Sequence, residues 1–464
     1  MNSGTSPPRH RRWPAASPWL ALFALSALLH FICFDWPLTV VFDEVYFPKY
    51  VMAYLRGEYY FDLHPPLGKL ILYVAGWLAG LDPSFSFATN QLPFPDSSYL
   101  VLRVPPRIAG TLLPLVLAAL ALQLGLSRFA AFAVGFLAAL DNALLVMSRF
   151  ALLDSFLLLF GFCALLLYLQ GRTRGWVWLL AAAASAGAAL AVKWTGLAFV
   201  GLILLAEGWA FLQTRAARHI ARIVAMAATV VVIYVASFAA HFALGHRGGA
   251  DDAAMSREFQ ATLAGNPHAA DASIQKASFW SKFVELNRAM FDGHRRTVQQ
   301  HPYSSQWYDW PFMMRPVSFW ADEKSGAVAR VYLLGNPAVW WSAGYAILFL
   351  LINFPPKLFA WAVRQQRAAI DATEVKLVVA YLANLLPFVF IGRIMFLYHY
   401  LAALCVALLA VGFLLDRCGP HRNALGIALL ALAVAAFLYF APLSYGLPLT
   451  PEQLEARFWV RSWK

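Results

Sequence analysis

The chain has 464 residues, of which 61% are hydrophobic and only 13% are charged, and its formal net charge is +12. Soluble domains contain about a quarter charged residues, so this composition excludes a soluble enzyme, a disordered chain and a simple nucleic-acid binder. A polytopic membrane protein remains. Its Lys and Arg residues must first be considered as topology signals, because they concentrate on cytoplasmic loops.

Twelve apolar runs are candidates for membrane-spanning helices. They lie near 18–35, 66–81, 106–124, 129–147, 150–170, 175–192, 194–212, 219–241, 338–354, 376–392, 396–416 and 423–442. Most contain about 17–23 residues, which is enough to cross the hydrocarbon core of a bilayer. The run 66–81 is the shortest and has Lys69 at its start.

Charge decides whether the run 66–81 crosses the membrane. If the N-terminus is cytoplasmic and 66–81 lies at the interface, one set of basic residues falls on the cytoplasmic side: Arg128, Arg172, Arg174, Arg215, Arg218, Arg222, Lys357, Arg364, Arg367, Arg417 and Arg422. If 66–81 crosses, all of them become external, against the positive-inside rule. We therefore predict an all-α membrane protein with eleven spans, an external C-terminus, and two large external loops at 36–105 and 242–337. The run 66–81 becomes an interfacial or re-entrant helix in the first loop.

The first external loop begins with two adjacent carboxylates, Asp43 and Glu44. Carboxylates at a membrane boundary are costly unless they are solvated or paired. They are therefore either a solvated loop start or a functional group facing a cavity, available as a general base or as ligands of a divalent cation. The sequence shows no full set of ligands for a metal.

Other charged residues lie at the start of the interfacial helix and at external ends of spans. His64 and Lys69 flank two prolines that favour a helix start. Arg103, Arg107 and Arg393 lie at or near external span ends. Such arginines either extend their charge to the interface or hold a lipid phosphate in bidentate fashion.

Several segments resemble those of one family in order along the chain. Residues 42–47 and 62–69 resemble the first-loop signature of the protein O-mannosyltransferases, members of the GT-C superfamily of glycosyltransferases that use lipid-phosphosugar donors. Further segments with such resemblance follow at 148–154, 193–196, 301–307, 310–311, 315–317, 334–337 and 392–400, and in the C-terminal tail. The loop 242–337 is too short for the β-trefoil MIR domain of eukaryotic members, so the chain resembles a bacterial-type member without that domain.

The resemblance implies a single GT-C membrane domain that transfers mannose, with inversion, from a polyprenyl-phosphate-mannose donor to Ser or Thr hydroxyls of an acceptor polypeptide. The reaction would take place on the periplasmic face of a bacterial inner membrane. Such a hydroxyl needs a base, and the departing phosphate needs fixed cations. No cofactor is implied with certainty, although a divalent cation could bind the first-loop carboxylates, and no nucleic acid is expected as a partner.

The candidate site residues follow from that chemistry. Asp43 is expected to be the base, and Glu44 to position Asp43 or the acceptor. Arg103, Arg107 and Arg393 are the candidates for the donor phosphate. His64 is expected to contact the phosphate or orient Asp43, and His399 to make a polar contact with substrate. Supporting roles are expected for Lys69, Arg149, Asp154, Lys193, His301 and Asn336. A buried ion pair of Asp154 with Arg149 that supports the loop is the alternative to substrate contact, and Lys193 is similar. For the segment with His64 and Lys69 the alternative is a turn that caps the interfacial helix.

Two other functions fit the composition. A lipid A aminoarabinose transferase has the same donor logic and a lipid acceptor, but the segment 301–310 and the segment 398–400 favour the mannosyltransferase. A secondary transporter or flippase usually has internal repeats and charges near the bilayer midplane. This chain shows no evident repeat, and its informative charges lie at external span ends.

Overall fold

The computed structural model describes residues 16–296, 301–324, 326–364 and 371–464. Most of the described residues are helical. The helices are α1 (Ala16–Phe31), α2 (Phe47–Arg56), α3 (Leu67–Leu78), α4 (Val104–Gln123), α5 (Arg128–Ala139), α6 (Asn142–Arg149), α7 (Asp154–Arg174), α8 (Trp176–Val192), α9 (Leu197–Thr214), α10 (Ala217–Leu244), α11 (Arg257–Gln260), α12 (Phe279–Arg296), α13 (Pro337–Ala362), α14 (Ala372–Leu385), α15 (Leu401–Leu415), α16 (Arg422–Tyr445) and α17 (Pro451–Glu455). The strands are β1 (Val317–Lys324), β2 (Ala327–Leu333) and β3 (Pro448–Leu449).

Within the described ranges, eight helical segments are long and apolar enough to cross a membrane: Ser97–Gln123, Asp154–Arg174, Trp194–Thr214, Ala217–Leu244, Pro337–Trp361, Ala372–Phe390, Leu397–Leu415 and Gly419–Tyr445. A ninth candidate is the pair α5 and α6, bent by 55° at a short break. Shorter apolar helices cover Ser17–Phe31 and Trp176–Val192. These segments follow the order of the predicted spans, and the prediction of a multi-pass α-helical membrane protein is confirmed. In the described ranges eight segments, or nine with the bent pair, are long enough to cross, so the number of eleven spans stays a prediction.

The run 66–81 contains only the short helix α3. Its 12 residues extend over about 18 Å, which is less than the roughly 30 Å of a hydrocarbon core. The helix packs on α2 and on the turn at 97–103, both within the first loop, and also against α4, α8 and α10. Its short length fits the interfacial or re-entrant placement that the charge distribution predicts.

The loops that the positive-inside rule assigns to the cytoplasm meet at one end of the bundle. Asp416 accepts hydrogen bonds from the backbone N–H of Ser127, at 2.6 Å, and from its hydroxyl group. Arg417 pairs with Asp371 at 2.5 Å. Three of the predicted cytoplasmic loops are therefore joined directly. Arg367, which belongs to the same predicted set, lies outside the described residues.

The second loop adds a small sheet and an amphipathic helix to the opposite end. Strands β1 and β2 form an antiparallel hairpin, with Val317 opposite Leu333 and Lys324 opposite Ala327. Strand β3, from the C-terminal segment, pairs antiparallel with β2. Because α16 packs against β2, the sheet is fixed to the helical bundle directly before α13 begins.

Asn336 fastens α13 to the break between α5 and α6. Its side-chain nitrogen donates to the carbonyl oxygens of Leu140, at 3.0 Å, and Ala433, at 2.8 Å. Its side-chain oxygen accepts from the backbone N–H of Ala338 and so caps α13. Its backbone N–H donates to the Asp141 carboxylate at 3.1 Å. These partners are structural, so the geometry gives Asn336 a role in helix packing.

Candidate active site

Asp43 lies in a short helical turn, Phe42–Val45, between α1 and α2. Phe42 adopts a positive φ of 51°, and its ring stacks on Phe319 of β1 with centroids 4.0 Å apart. The same ring meets Tyr398 edge-on at 6.2 Å. Contacts with the second loop and with the start of a late span therefore fix the turn that carries Asp43.

The surroundings of Asp43 raise the pKa of its carboxyl group toward neutral pH. Burial raises the pKa of its carboxyl group from the ordinary 3.8 to about 7, with Lys193 opposing the shift and the carboxylates of Asp154 and Asp62 adding to it. A base with a pKa near the working pH transfers protons most efficiently. The Asp43 carboxyl group has such a pKa, whereas Glu44, next to it in sequence, is bonded by N–H donors.

Glu44 is buried and fully engaged. Its Oε1 accepts from Arg103 Nε at 2.8 Å and its Oε2 from Arg103 Nη2 at 2.7 Å. The backbone N–H groups of Val41 and Ala151 each donate to it at 2.9 Å. Because both oxygens are bonded by N–H donors, the structure places Glu44 in the framework behind Asp43, beside the start of α7.

Three arginines, Arg103, Arg107 and Arg149, are at most 1% exposed. They fix the segment 30–39, which connects α1 to the turn with Asp43. Hydrogen bonds of 2.6–3.3 Å run from their guanidinium groups to main-chain oxygens: Arg103 to Pro37 and Thr39, Arg107 to His30 and Phe34, and Arg149 to Cys33 and Trp36. The structure therefore does not bring Arg103 and Arg107 together as a phosphate clamp.

Two ion pairs contribute charge around Asp43. Lys193 pairs with Asp154 at 2.6 Å, and its ammonium group lies 5.5 Å from the centre of the Tyr398 ring. Lys69, at the start of α3, pairs with Asp62 and donates to the His64 carbonyl oxygen at 2.7 Å. Both lysines are compensated by carboxylates. The sequence alternative for Asp154 is an ion pair with Arg149, but the structure pairs Asp154 with Lys193, and Arg149 donates to main-chain oxygens instead.

Arg393 is held differently from these lysines. Its Nη1 donates to His294 Nδ1 at 2.6 Å, and the other ring nitrogen of His294 donates to the Leu63 carbonyl oxygen at 2.9 Å. Among the described residues no carboxylate forms an ion pair with Arg393 within 4 Å. Its charge is therefore better available to an anion than that of Lys69 or Lys193.

His64 lies between these groups. Its ring is 5.7 Å from that of His294 and 6.2 Å from that of Phe47. Burial, followed by the charges of Lys193 and Lys69, holds the pKa of His64 well below its usual range. His64 is thus a neutral imidazole beside the site, suited to hydrogen bonding rather than to charge compensation.

The two other histidines predicted as site residues, His301 and His399, stabilise loop conformations. His399 Nδ1 accepts from the backbone N–H of Phe396 at 3.1 Å, and its ring stacks on Trp310 with centroids 5.8 Å apart. His301 Nδ1 accepts from the backbone N–H of Tyr303 at 3.2 Å. His301 also packs edge-on against Phe396. The structure thus brings both near the 391–396 loop without pointing to a substrate contact for His301.

Two residues of this site, Asp62 and His294, are not among the site residues predicted from the sequence. Asp62 lies in the first-loop segment that carries the family resemblance, and its position two residues before His64 was a usable signal. His294 lies on α12, seven residues after Asn287 and four after the buried Met290. This spacing marks one face of a helix, but it does not reveal the partner of that face.

A metal was considered at the first-loop carboxylates. In the part of the chain that the structure describes, no group of three or more His, Cys, Asp or Glu side chains is arranged to hold a metal ion. Both carboxylate oxygens of Glu44 are already bonded by N–H donors. The residues present therefore do not fit a divalent cation between Asp43 and Glu44.

Two family models match consecutive parts of the chain. Residues 20–245 match the model described as dolichyl-phosphate-mannose-protein mannosyltransferase. Residues 279–463 match the model described as the C-terminal four TMM region of protein-O-mannosyltransferase. Together they include the predicted first external loop, the predicted second loop from residue 279 onward, and nearly all predicted spans.

Curated relatives agree with these models. Protein O-mannosyltransferase 1 of Drosophila pseudoobscura pseudoobscura is 23% identical over 95% of this chain and 76% of its own length. The alignment extends over 703 positions, so the fly protein contains segments with no counterpart here. Protein O-mannosyl-transferase 1 of Mus musculus is 34% identical over 53% of this chain. The alignment covers 36% of the mouse protein, so the aligned half of this chain corresponds to about a third of the mouse protein.

Solved structures establish the fold. The Saccharomyces cerevisiae protein O-mannosyltransferase Pmt1-Pmt2 complex, bound to the sugar donor, contains a chain with a TM-score of 0.88 and 19% identity, covering 98% of this chain and 93% of that chain. ArnT from Cupriavidus metallidurans, bound to undecaprenyl phosphate, matches with a TM-score of 0.53 and 18% identity, covering 92% and 65%. The expected GT-C fold is confirmed. With both family models matched in order, the chain belongs to the protein O-mannosyltransferase family of glycosyltransferases.

Proposed function

We propose that this protein transfers mannose from a polyprenyl-phosphate-mannose donor to Ser or Thr hydroxyls of acceptor polypeptides, on the periplasmic face of a bacterial inner membrane. One observation carries the proposal: a carboxyl group with a pKa of about 7, that of Asp43, lies in the external loop region that also contains Arg393. A base and a cation available to an anion are the two groups that this transfer requires.

Asp43 acts as the general base. Its carboxylate accepts the proton of the acceptor hydroxyl while the hydroxyl oxygen attacks the anomeric carbon of mannose. The bond between that carbon and the phosphate oxygen breaks, and the configuration inverts. A positioned base contributes about 10²–10⁴-fold in rate. The negative charge of Asp43 also favours the oxocarbenium-like transition state of the sugar.

Arg393 is the first candidate for the donor phosphate, because Lys69 and Lys193 are already paired with carboxylates. A phosphate leaving group needs a fixed cation more than it needs a strong acid. Arg103 and Arg107, expected from the sequence to bind this phosphate, take a different role in the proposal. They hold the segment that positions Asp43.

The second candidate function, a lipid A aminoarabinose transferase, shares the fold and the donor logic. The resemblance to ArnT, at 18% identity, concerns the fold alone. Both family models that match this chain describe protein mannosyltransferases, which favours a polypeptide acceptor. A transporter is disfavoured because Asp43 and Arg393 lie in loops, and Lys69 at the start of α3, at one end of the bundle rather than at a bilayer midplane.

The test is a transfer assay with purified protein, polyprenyl-phosphate-mannose and a Ser/Thr peptide. We expect mannosylated peptide from the wild-type protein and a loss of about 10²–10⁴-fold for Asp43→Asn. The matched control is Asp96→Asn, which changes an exposed carboxylate of the same loop and should leave turnover unchanged. Wild-type turnover in Asp43→Asn would remove Asp43 as the base. Transfer to lipid A but not to the peptide would favour the alternative.

A further inference from the structure

We propose that His294 is a positioning residue that orients Arg393 toward the donor phosphate, so that helix α12 of the second external loop forms part of the active site. The inference deepens the proposed function and rests on it. Neither the sequence motifs nor the family comparison assigns His294 a role.

The hydrogen bonds of His294 determine its tautomer. The Leu63 carbonyl oxygen can only accept, so Nε2, 2.9 Å away, carries the proton. Nδ1 then has a free lone pair and accepts from Arg393 Nη1 at 2.6 Å. One neutral imidazole therefore bridges the first loop and the 391–396 loop. Such a hydrogen bond from a charged donor is shorter and stronger than a neutral one.

The rest of the α12 face docks at the same place. Asn287 Oδ1 accepts from the Tyr234 hydroxyl at 2.7 Å, and the Tyr234 oxygen accepts from Trp194 Nε1 at 2.9 Å. Met290, between Asn287 and His294 on this face, is 1% exposed. Residues four and seven apart share one side of a helix. The face is thus anchored next to Lys193 at one point and to Arg393 at the other.

Arg393 needs such a support because of where it lies. Residues 391–396 connect two short helical turns and contain no regular helix. A guanidinium group has five N–H donors, and the bond to His294 uses one of them. The others remain for phosphate oxygens, and a neutral partner leaves the positive charge intact. A carboxylate in the place of His294 would cancel that charge.

Two substitutions separate the two bonds of His294. In His294→Asn, the amide oxygen takes the position of Nδ1 and can accept from Arg393. In His294→Gln, the amide nitrogen takes the position of Nε2 and can donate to Leu63, while the bond to Arg393 is lost. The control is Asn287→Ala, which removes the other anchor of α12 without touching Arg393.

The measurements are the Michaelis constant for polyprenyl-phosphate-mannose, the Michaelis constant for the peptide, and the dissociation constant for undecaprenyl phosphate. We expect His294→Gln to weaken both donor constants by about tenfold or more, with the peptide constant unchanged. His294→Asn should restore them to within about threefold of wild type. Asn287→Ala should lower the unfolding temperature and leave the donor constants unchanged.

The inference is overturned if His294→Asn and His294→Gln weaken donor binding equally, or if neither does, or if Asn287→Ala weakens it as much as His294→Gln. Failure of the proposed function gives a different pattern. In that case wild-type protein does not mannosylate the peptide at all, whereas undecaprenyl phosphate binding still reports whether His294 positions Arg393 toward a phosphate.

Discussion

Arg103 and Glu44, 59 residues apart in sequence, form a two-point contact in which Nε lies 2.8 Å from one carboxylate oxygen and Nη2 lies 2.7 Å from the other. Both side chains are 1% exposed. Bidentate geometry of this kind fixes the relative orientation of the two groups. It holds the turn that carries Asp43 against the start of α4, directly behind the proposed base.

Breaking this ion pair should lower the unfolding stability of the protein more than it lowers the affinity for the donor. Glu44→Ala leaves a buried guanidinium without its carboxylate, which typically costs about 3–5 kcal/mol. We expect a clear drop in the unfolding temperature in detergent. Glu44→Gln, which retains one acceptor oxygen, should lose less stability and keep a measurable donor affinity. Wild-type stability in Glu44→Ala would show that the pair does not support the loop.

The rate of transfer should depend on pH through Asp43. The base works only when ionised, and its pKa is raised to about 7. We therefore expect kcat/KM to fall about tenfold per pH unit below pH 7 and to level off above it. A pH series with peptide well below its Michaelis constant measures this limb. A limb centred near pH 4, the region of an ordinary carboxyl group, would contradict the environment described for Asp43.

Two substitutions should move that limb in opposite directions. Lys193 lowers the pKa of Asp43 and Asp154 raises it. Lys193→Met should therefore shift the acidic limb to higher pH, and Asp154→Asn should shift it to lower pH, each by about one unit. The two variants control for each other, since both break the same 2.6 Å ion pair. Shifts of the same sign would indicate an indirect structural effect.

Asn336 should matter for stability and not for chemistry. Asn336→Ala removes the donor to Leu140 and Ala433 and the cap of α13, which leaves buried groups unsatisfied at about 1–3 kcal/mol each. We expect a lower unfolding temperature with unchanged specific activity of the folded protein. Asn353→Ala is the matched control: this half-buried asparagine of α13 donates to the Phe349 carbonyl oxygen of its own helix, and its replacement should change neither quantity.

The spans could be predicted from the sequence because a bilayer requires a minimum length of apolar helix. Charge on the connecting loops then excluded the run 66–81, and the 12-residue helix α3 fits that prediction. The sharp bend at Leu140 and Asp141 was missed, although an acidic residue inside an apolar run was a signal of it. Trp340, whose indole N–H donates to the Asp141 carboxylate, lies 199 residues away in sequence. A local sequence pattern cannot reveal such a partner.

The roles of the arginines could not be predicted in the same way. Arg103, Arg107 and Arg393 are the same residue type at external span ends, and each position is compatible with a lipid phosphate. What distinguishes Arg103 and Arg107 is the set of carbonyl groups from another part of the chain that surrounds them. The role proposed for Arg393 likewise depends on His294, 99 residues away.

Three arginines, Arg103, Arg107 and Arg149, donate hydrogen bonds to main-chain oxygens of the segment 30–39. A carbonyl oxygen is the same at every residue, so these hydrogen bonds do not depend on which side chains the segment carries. Substitutions at exposed positions of the segment, such as Asp35 and Leu38, should then be tolerated wherever they keep the backbone path. Trp36 donates to the Gly446 carbonyl oxygen at 2.7 Å, and the centre of the Phe34 ring lies 4.8 Å from the Arg107 guanidinium carbon, so these two should resist replacement. The same is expected for the three arginines. Sequence variation among relatives is therefore expected at exposed positions of the segment 30–39, whereas Arg103, Arg107 and Arg149 should be invariant.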